Sequence, residues 1–289
     1  MKFITLADMA STIRRNIHRI PHDIDFVIGI PRSGIIAASI IAEFLNVPLI
    51  DLDSFVFGAS PTGGRRLRYR MDSGREKKRV LVVDDTLYNG TANREARQKL
   101  KPSEWRCEFI YLAVYHEGRC NDIDITLEDV RGFTNGFSQI VLYEWNILQH
   151  HADVMGRFIF DMDGVFCVDP PDERDASAYL NYIKDATPLF LPTAPIGEIV
   201  TFRLEANRHI TQRWLAEHGI RYGALTMFPA QTWDERFKSG ISPARFKSDI
   251  YRTRPDARLF IESEEWQAKE IHRLTGRPVY CVASNMIYG

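Results

Sequence analysis

Short apolar runs alternate with helical patterns along this chain, and the alternation occurs twice. Asp25 to Ile30 (DFVIGI) predicts a buried strand, and Gly34 to Leu45 (GIIAASIIAEFL) a helix with apolar residues round most of its face. Arg79 to Val83 (RVLVV) predicts a second strand, followed by a helix through about Leu100. Cys107 to Tyr115 (CEFIYLAVY) predicts a third strand and Gln139 to Tyr143 (QIVLY) a fourth. After the polar stretch His150 to Asp153 the pattern restarts. Arg157 to Phe160, Glu198 to Thr201, Arg258 to Ile261 and Pro278 to Val282 read as strands with helices between them. Strand–helix alternation of this kind implies a parallel sheet covered on both faces. The expectation is two α/β domains, residues 1–152 and 153–289.

Composition narrows the function classes. The chain has 289 residues, 45% hydrophobic and 26% charged, the balance of an ordinary globular protein. With 37 Lys+Arg against 38 Asp+Glu, bulk charge does not suit coating a nucleic-acid polymer or a membrane. The first residues meet Asp8 too early for a secretory segment, and no apolar run is long enough to span a bilayer. The four cysteines are scattered without CxxC spacing and read as reduced core thiols, which points to the cytoplasm. His116, His150 and His151 have no partners in a recognisable spacing and read as surface or hinge residues. The oligomeric state is left open, a homo-oligomer included.

Ligands of open parallel sheets sit beyond the carboxyl ends of the strands. In Val80 to Ala92 (VLVVDDTLYNGTA), Asp84 and Asp85 end an apolar strand, and a loop with Thr86, Asn89, Gly90 and Thr91 leads into a helix. Backbone N–H groups, hydroxyls and a helix N-terminus there suit an anion. The paired carboxylates suit ribose hydroxyls or a Mg²⁺ ion. No glycine is followed by lysine and there is no GxGxxG, so the commoner nucleotide loops are absent.

This segment resembles the thirteen-residue phosphoribosyl-pyrophosphate (PRPP) signature of the type I phosphoribosyltransferases. Gly29 to Gly34 (GIPRSG) is similar to that family's pyrophosphate loop, and the resemblance covers roughly residues 1–150. It implies that Asp84 and Asp85 contact the ribose hydroxyls and that Thr86 and the Tyr88, Asn89, Gly90, Thr91 loop hold the 5-phosphate. Arg32, Ser33 and Gly34 would hold pyrophosphate. Tyr88 departs from the usual Asp, Thr or Ala and could alter phosphate or base contacts. Trp145, in Tyr143 to Asn146 near the expected base-binding hood, is a candidate for stacking on the acceptor base. The basic run Arg65 to Arg79 suits a loop closing over PRPP.

In the second half, RFIFDMDGVFCVDPP places Asp161 and Asp163 just past a strand. One carboxylate can attack phosphorus and the other transfer a proton to the leaving oxygen. The arrangement resembles the haloacid dehalogenase (HAD) superfamily of phosphatases, whose first motif is DxDG(T/V). By resemblance, Thr201 bonds the transferring phosphoryl group, Lys247 supplies the cation, and Asp161, Asp163 and Glu262 hold Mg²⁺. Ser263 stands where a second Asp is frequent. Arg203 is a candidate phosphate clamp, whereas Arg208, Thr211 and Trp214 suit helix packing. The short gaps between motifs imply a HAD-like Rossmannoid sheet with little or no cap.

The leading expectation is a bifunctional enzyme. It would join a nitrogenous base to PRPP with release of pyrophosphate, then hydrolyse a phosphomonoester, the nucleoside monophosphate-like product. The other expectation is a phosphatase regulated by an inactive PRPP- or nucleotide-binding domain.

Overall fold

A computed structural model of the chain describes residues 1–64, 67, 74–133, 140–149, 152–170 and 176–289. His150, His151, Gln139 and most of the basic run 65–79 lie outside the described residues. The chain divides into two compact units, residues 2–145 and 146–289.

In the first unit, β1 (Lys2–Ile4) is followed by α1 (Leu6–Asn16), whose start is fixed by a capping box between Thr5 and Asp8. Then come β2 (Phe26–Gly29), α2 (Ser33–Leu45), β3 (Leu49–Asp51) and α3 (Leu52–Val56). The unit continues through β4 (Lys78–Leu87), α4 (Thr91–Leu100), β5 (Cys107–His116), β6 (Ile125–Asp129) and β7 (Val141–Tyr143). Five strands form a parallel sheet in the order β3-β2-β4-β5-β6. Strand alternation divides its side chains between two cores. Leu81 and Val83 of β4 face α1 and α2 with Met9, Ala37 and Ile41, whereas Val80 and Val82 face Phe55, Ala96 and Leu100.

Several expected elements change. β4 runs on to Leu87, with Asp84 opposite Ala113 and Thr86 opposite Tyr115, so Thr86 is a strand residue rather than loop and the strand continues past both aspartates. The 139–143 run does not join the main sheet. Its described part, β7, pairs with β1 in a separate two-stranded parallel sheet. His116 is a buried residue at the end of β5, not a surface or hinge group. β3 and β6 were not anticipated, being short and interrupted by charge.

The second unit contains α5 (Ala152–Met155), β8 (Phe158–Phe160), α6 (Ala176–Asp185), β9 (Ile196–Leu204) and α7 (Arg208–Glu217). It continues with β10 (Tyr222–Phe228), α8 (Trp233–Lys238), α9 (Pro243–Arg252), β11 (Leu259–Glu262), α10 (Glu265–Thr275), β12 (Val279–Cys281) and β13 (Met286–Tyr288). The sheet order is β10-β9-β8-β11-β12-β13, parallel except for the terminal β13. β10 and β13 were not legible as strands. Ile159, Val200, Phe260 and Val279 pack one face against Ala244, Tyr251, Ala268 and Ile271 of α9 and α10. Trp214 and Thr211 are buried in packing as expected, the indole N–H reaching the Ala186 carbonyl at 2.9 Å. All four cysteines are free, and three are buried. No helix among the described residues is long and apolar enough to cross a membrane.

Candidate functional site

Each of the two larger sheets has one point where the strand order reverses, the place beyond the strand ends where open parallel sheets take their ligands. In the first sheet it lies between β2 and β4, and in the second between β8 and β11. The candidate residues gather at these two places.

At the first point the chain leaves β2 through Ile30 to Arg32 and enters α2 at Ser33, with Arg32 exposed and no side chain capping the helix. The first-turn N–H groups of such a helix have no intrahelical partner and suit an anion. Gly34 is required by close packing. A Cβ there would stand 2.7 Å from the Val83 carbonyl oxygen and 3.1 Å from Asp84 Oδ1, so glycine is what lets α2 begin against the aspartates.

Asp84 and Asp85 sit at the same reversal point, on β4. Burial and the neighbouring Asp85 charge push the Asp84 carboxyl well above the usual carboxylate range. Burial also raises Asp85, opposed by hydrogen bonds from Asp84 and from Trp145. The Trp145 indole N–H donates to Asp85 Oδ2 at 2.7 Å. Its ring packs with Tyr143 and Tyr115, the centroids 4.8 and 6.5 Å away. Trp145 is thereby committed to Asp85 and the aromatic cluster, a placement different from a free stacking platform for a base.

Beyond β4, Gly90 adopts φ 73° and opens α4 at Thr91. A Cβ on Gly90 would lie 2.4 Å from Cys120 Sγ. The Asn89 side chain accepts the Thr91 N–H at 3.0 Å, and Arg94 reaches the Asn89 carbonyl at 2.9 Å and the Thr91 hydroxyl at 3.2 Å. Tyr88 is 64% exposed. It borders a cleft of about 690 Å³ lined also by Asn89, Arg94, Glu117, Arg119 and Arg131. Glu117 and Arg94 were not picked out from the sequence. Their signal was position alone, just past a strand and one turn into a helix.

At the second point Asp161 follows β8 and its N–H bonds to the Ile261 carbonyl at 2.8 Å, placing it beside the end of β11. The buried Lys247 ammonium from α9 reaches Asp161 Oδ2 at 2.8 Å, Glu262 Oε2 at 2.7 Å and Gln267 Oε1 at 3.0 Å. Burial and the Glu262 charge push Asp161 well above its ordinary range despite Lys247. Burial and the two carboxylates act oppositely on Lys247, and the net effect raises it. A carboxylate, an ammonium and a second carboxylate thus share one buried site.

Asp163 is held differently. Burial would raise it, but the Arg203 guanidinium outweighs burial and the carboxyl is lowered. Arg203 bonds both Asp163 oxygens, at 2.6 Å from Nη2 and 3.1 Å from Nε, and its side chain is 0% exposed. The phosphate-clamp expectation for Arg203 does not match this placement, because the guanidinium is buried and bound to Asp163. Tyr182 of α6 also donates to Asp163 Oδ1, at 2.7 Å. Tyr182 went unnoticed in the sequence. Its only sign there is the Tyr179–Tyr182 spacing of one helical turn, and the two rings do stack, 6.1 Å apart. Thr201 is buried in β9, its hydroxyl accepting the Arg203 N–H at 3.2 Å.

The expected Mg²⁺ ligands do not form a ready shell. Asp161 and Glu262 each give an oxygen to Lys247, and Asp163 gives both to Arg203. Glu262 Oε1 accepts the N–H groups of Ser263 and Glu264. Among the described residues no group of three or more His, Cys, Asp or Glu side chains is arranged to hold a metal ion.

Comparison with known proteins bears on the first unit. The family described as phosphoribosyl transferase domain matches residues 3–147. No curated protein matches the chain. Among solved structures, the chain is similar to a purine phosphoribosyltransferase from Pyrococcus horikoshii Ot3, at 16% identity and a TM-score of 0.31, covering 50% of this chain and 94% of that one. It is also similar to an orotate phosphoribosyltransferase from Aeropyrum pernix, at 18% identity and a TM-score of 0.32, covering 44% and 71%. A xanthine-guanine-hypoxanthine phosphoribosyltransferase from Helicobacter pylori matches at 11% identity and a TM-score of 0.35, covering 50% and 93%.

Proposed function

Through residues 3–147 the chain belongs to the phosphoribosyl transferase domain family, and from that premise we propose a bifunctional enzyme of nucleotide metabolism. Its first domain, residues 1–152, transfers phosphoribosyl from PRPP to a nitrogenous base and releases pyrophosphate. Its second, residues 153–289, is a HAD-type phosphatase that hydrolyses a nucleoside monophosphate-like phosphomonoester.

The observation that carries the transferase half is the convergence at the β2/β4 reversal point. Asp84 and Asp85 bind the ribose hydroxyls, and the Tyr88 to Thr91 loop with its Gly90 turn receives the 5-phosphate on backbone N–H groups. The α2 N-terminus, with Arg32, Ser33 and the close-packed Gly34, receives pyrophosphate. Charge develops on pyrophosphate as its bond to the ribose breaks, and fixed donors and cations there lower the barrier. Mg²⁺ would serve as the counter-ion of pyrophosphate.

For the phosphatase half, support comes from Asp161 held between Lys247 and the β11 end. Asp161 attacks phosphorus as the ester P–O bond breaks, giving an aspartyl-phosphate, and the leaving oxygen takes its proton from Asp163. Water then attacks that phosphorus, the bond to Asp161 breaks, and the water's proton returns to Asp163, whose carboxylate form Arg203 favours. Lys247 and Thr201 offset the charge on the phosphoryl oxygens. Lys247 and Arg203 hold the three carboxylates of this site.

The test is phosphorus NMR of the full chain with Mg²⁺, PRPP and a panel of purine, pyrimidine and pyridine bases, beside an Asp161→Asn variant. Pyrophosphate release that depends on a base, with a monophosphate accumulating only in the variant, is the expected result. If no base consumes PRPP, the transferase half fails. If the wild type frees no phosphate from nucleotides, the phosphatase half fails.

A further inference from the structure

Transfer to a ring nitrogen leaves a proton to be placed. As the nitrogen attacks the anomeric carbon, the N–C bond forms and the C–O bond to pyrophosphate breaks, the pair leaving with pyrophosphate. The N–H proton must go to a base. In the proposed transfer Asp84 and Asp85 are occupied by the ribose.

Two glycines bring another carboxylate to this place. The N–H groups of Glu117 and Gly118 both bond to the Leu87 carbonyl, each at 2.9 Å, so the turn after β5 is tied to the end of β4. A Cβ on Gly118 would stand 1.7 Å from the Tyr88 carbonyl oxygen. Only glycine allows that contact. On the other side of the same loop, Gly90 lies directly against Cys120. The turn 117–120 and the loop 88–90 are therefore locked together, and Glu117 lines the cleft that Tyr88 and Asn89 border.

Resting on the transferase reading, we propose that Glu117 is the general base of phosphoribosyl transfer, taking the ring N–H proton of an acceptor bound in the cleft beside Tyr88. Its Oε2 accepts a hydrogen bond from the Tyr143 hydroxyl at 3.0 Å, which fixes the carboxylate's orientation. Tyr143 in turn packs on Trp145, the indole bonded to Asp85, so one aromatic cluster orients both the ribose carboxylate and the base. Burial raises Glu117 from its ordinary value, the Tyr143 bond lowers it and the Asp85 charge raises it, with a net rise. A carboxylate raised toward the working pH is a better proton acceptor. The other charged or titratable groups at the cleft are Arg94 on α4, Arg119 and Cys120 on the same turn, and Arg131, which is paired with Asp129. His116 precedes Glu117 at the end of β5.

The full-length protein tests this with Glu117→Gln, Glu117→Ala and Tyr143→Phe. PRPP affinity is read by calorimetry and base-dependent pyrophosphate release by steady-state kinetics. Glu117→Gln is expected to bind PRPP as the wild type does and to lose about 100-fold or more in kcat. Formate is expected to restore part of the Glu117→Ala rate, which a merely structural role would not allow. In Tyr143→Phe the loss of the donated bond raises the carboxyl further, so the acid limb of the kcat/KM profile moves to higher pH. A Glu117→Gln enzyme at wild-type rate overturns the assignment and leaves the transferase reading intact. A wild type that fails to consume PRPP with any base of the panel overturns both. If Glu117→Gln does not fold, an acid limb unmoved by Tyr143→Phe overturns the assignment.

Discussion

The indole N–H of Trp145 donates to the Asp85 carboxylate across 60 residues of sequence, at 2.7 Å. Asp85 is 6% exposed, and this bond helps keep it ionised against burial. The last residue of the first compact unit is thus an orienting group for a carboxylate on its central strand.

Trp145→Phe keeps the aromatic packing and removes that donor. A hydrogen bond to a charged group is worth about 1.5–3 kcal/mol, so PRPP affinity is expected to weaken by about tenfold or more. Isothermal titration with PRPP checks it, and an unchanged affinity would detach Asp85 from the site.

Lys247→Ala leaves Asp161 and Glu262 buried together without their ammonium. Removing one partner of a buried ion pair costs about 3–5 kcal/mol, and urea denaturation is expected to show a loss of that order. Phosphatase turnover is expected to disappear in the same variant.

Gly118→Ala places a methyl group against the Tyr88 backbone, whereas Gly132→Ala meets nothing within 4 Å. The first is expected to lower the melting temperature by several degrees and to abolish base-dependent PRPP consumption. The second is expected to leave the melting temperature unchanged. Scanning fluorimetry and pyrophosphate release read the contrast.

Asp84 gives a pH-dependent stability of known sign. Its folded pKa is raised by burial and by Asp85, so the folded state holds this proton more tightly than the unfolded chain. Its contribution therefore weakens stability as pH rises above the unfolded value of about 3.9 toward the folded one. Asp84→Asn removes that dependence. The variant is expected to melt higher than the wild type at pH 7, with the advantage shrinking toward pH 4, while PRPP binding is lost. Melting curves across that range check the sign.

Much of both candidate sites was legible because their residues are local in the chain. Asp84, Asp85, Gly90 and Thr91 follow one another at a strand end, as do Asp161 and Asp163. The strands missed were those whose burial is one-sided or whose sequence is interrupted. β10 carries Gly223 and Thr226 among its apolar residues, and β6 reads ITLED, charged at its last two positions. Neither has a period that separates it from a loop. Arg203 was read as a phosphate clamp because it lies two residues past the hydroxyl residue Thr201. Its burial follows from Asp163 and Tyr182, brought to it from two other elements.

The class of fold, the two acidic strand ends and the family of the first half are all readable from consecutive residues. Hydrophobic periodicity and short motifs are written in consecutive residues, and no other part of the chain need be known to read them. Which carboxylates stand together, and which cations neutralise them, follows from long-range packing. Lys247 meets Asp161 across 86 residues because α9 packs behind β8 and β11, and the Gly118 turn meets Tyr88 through the β4–β5 register. Such contacts are set by sheet order and close packing, which depend on every strand at once.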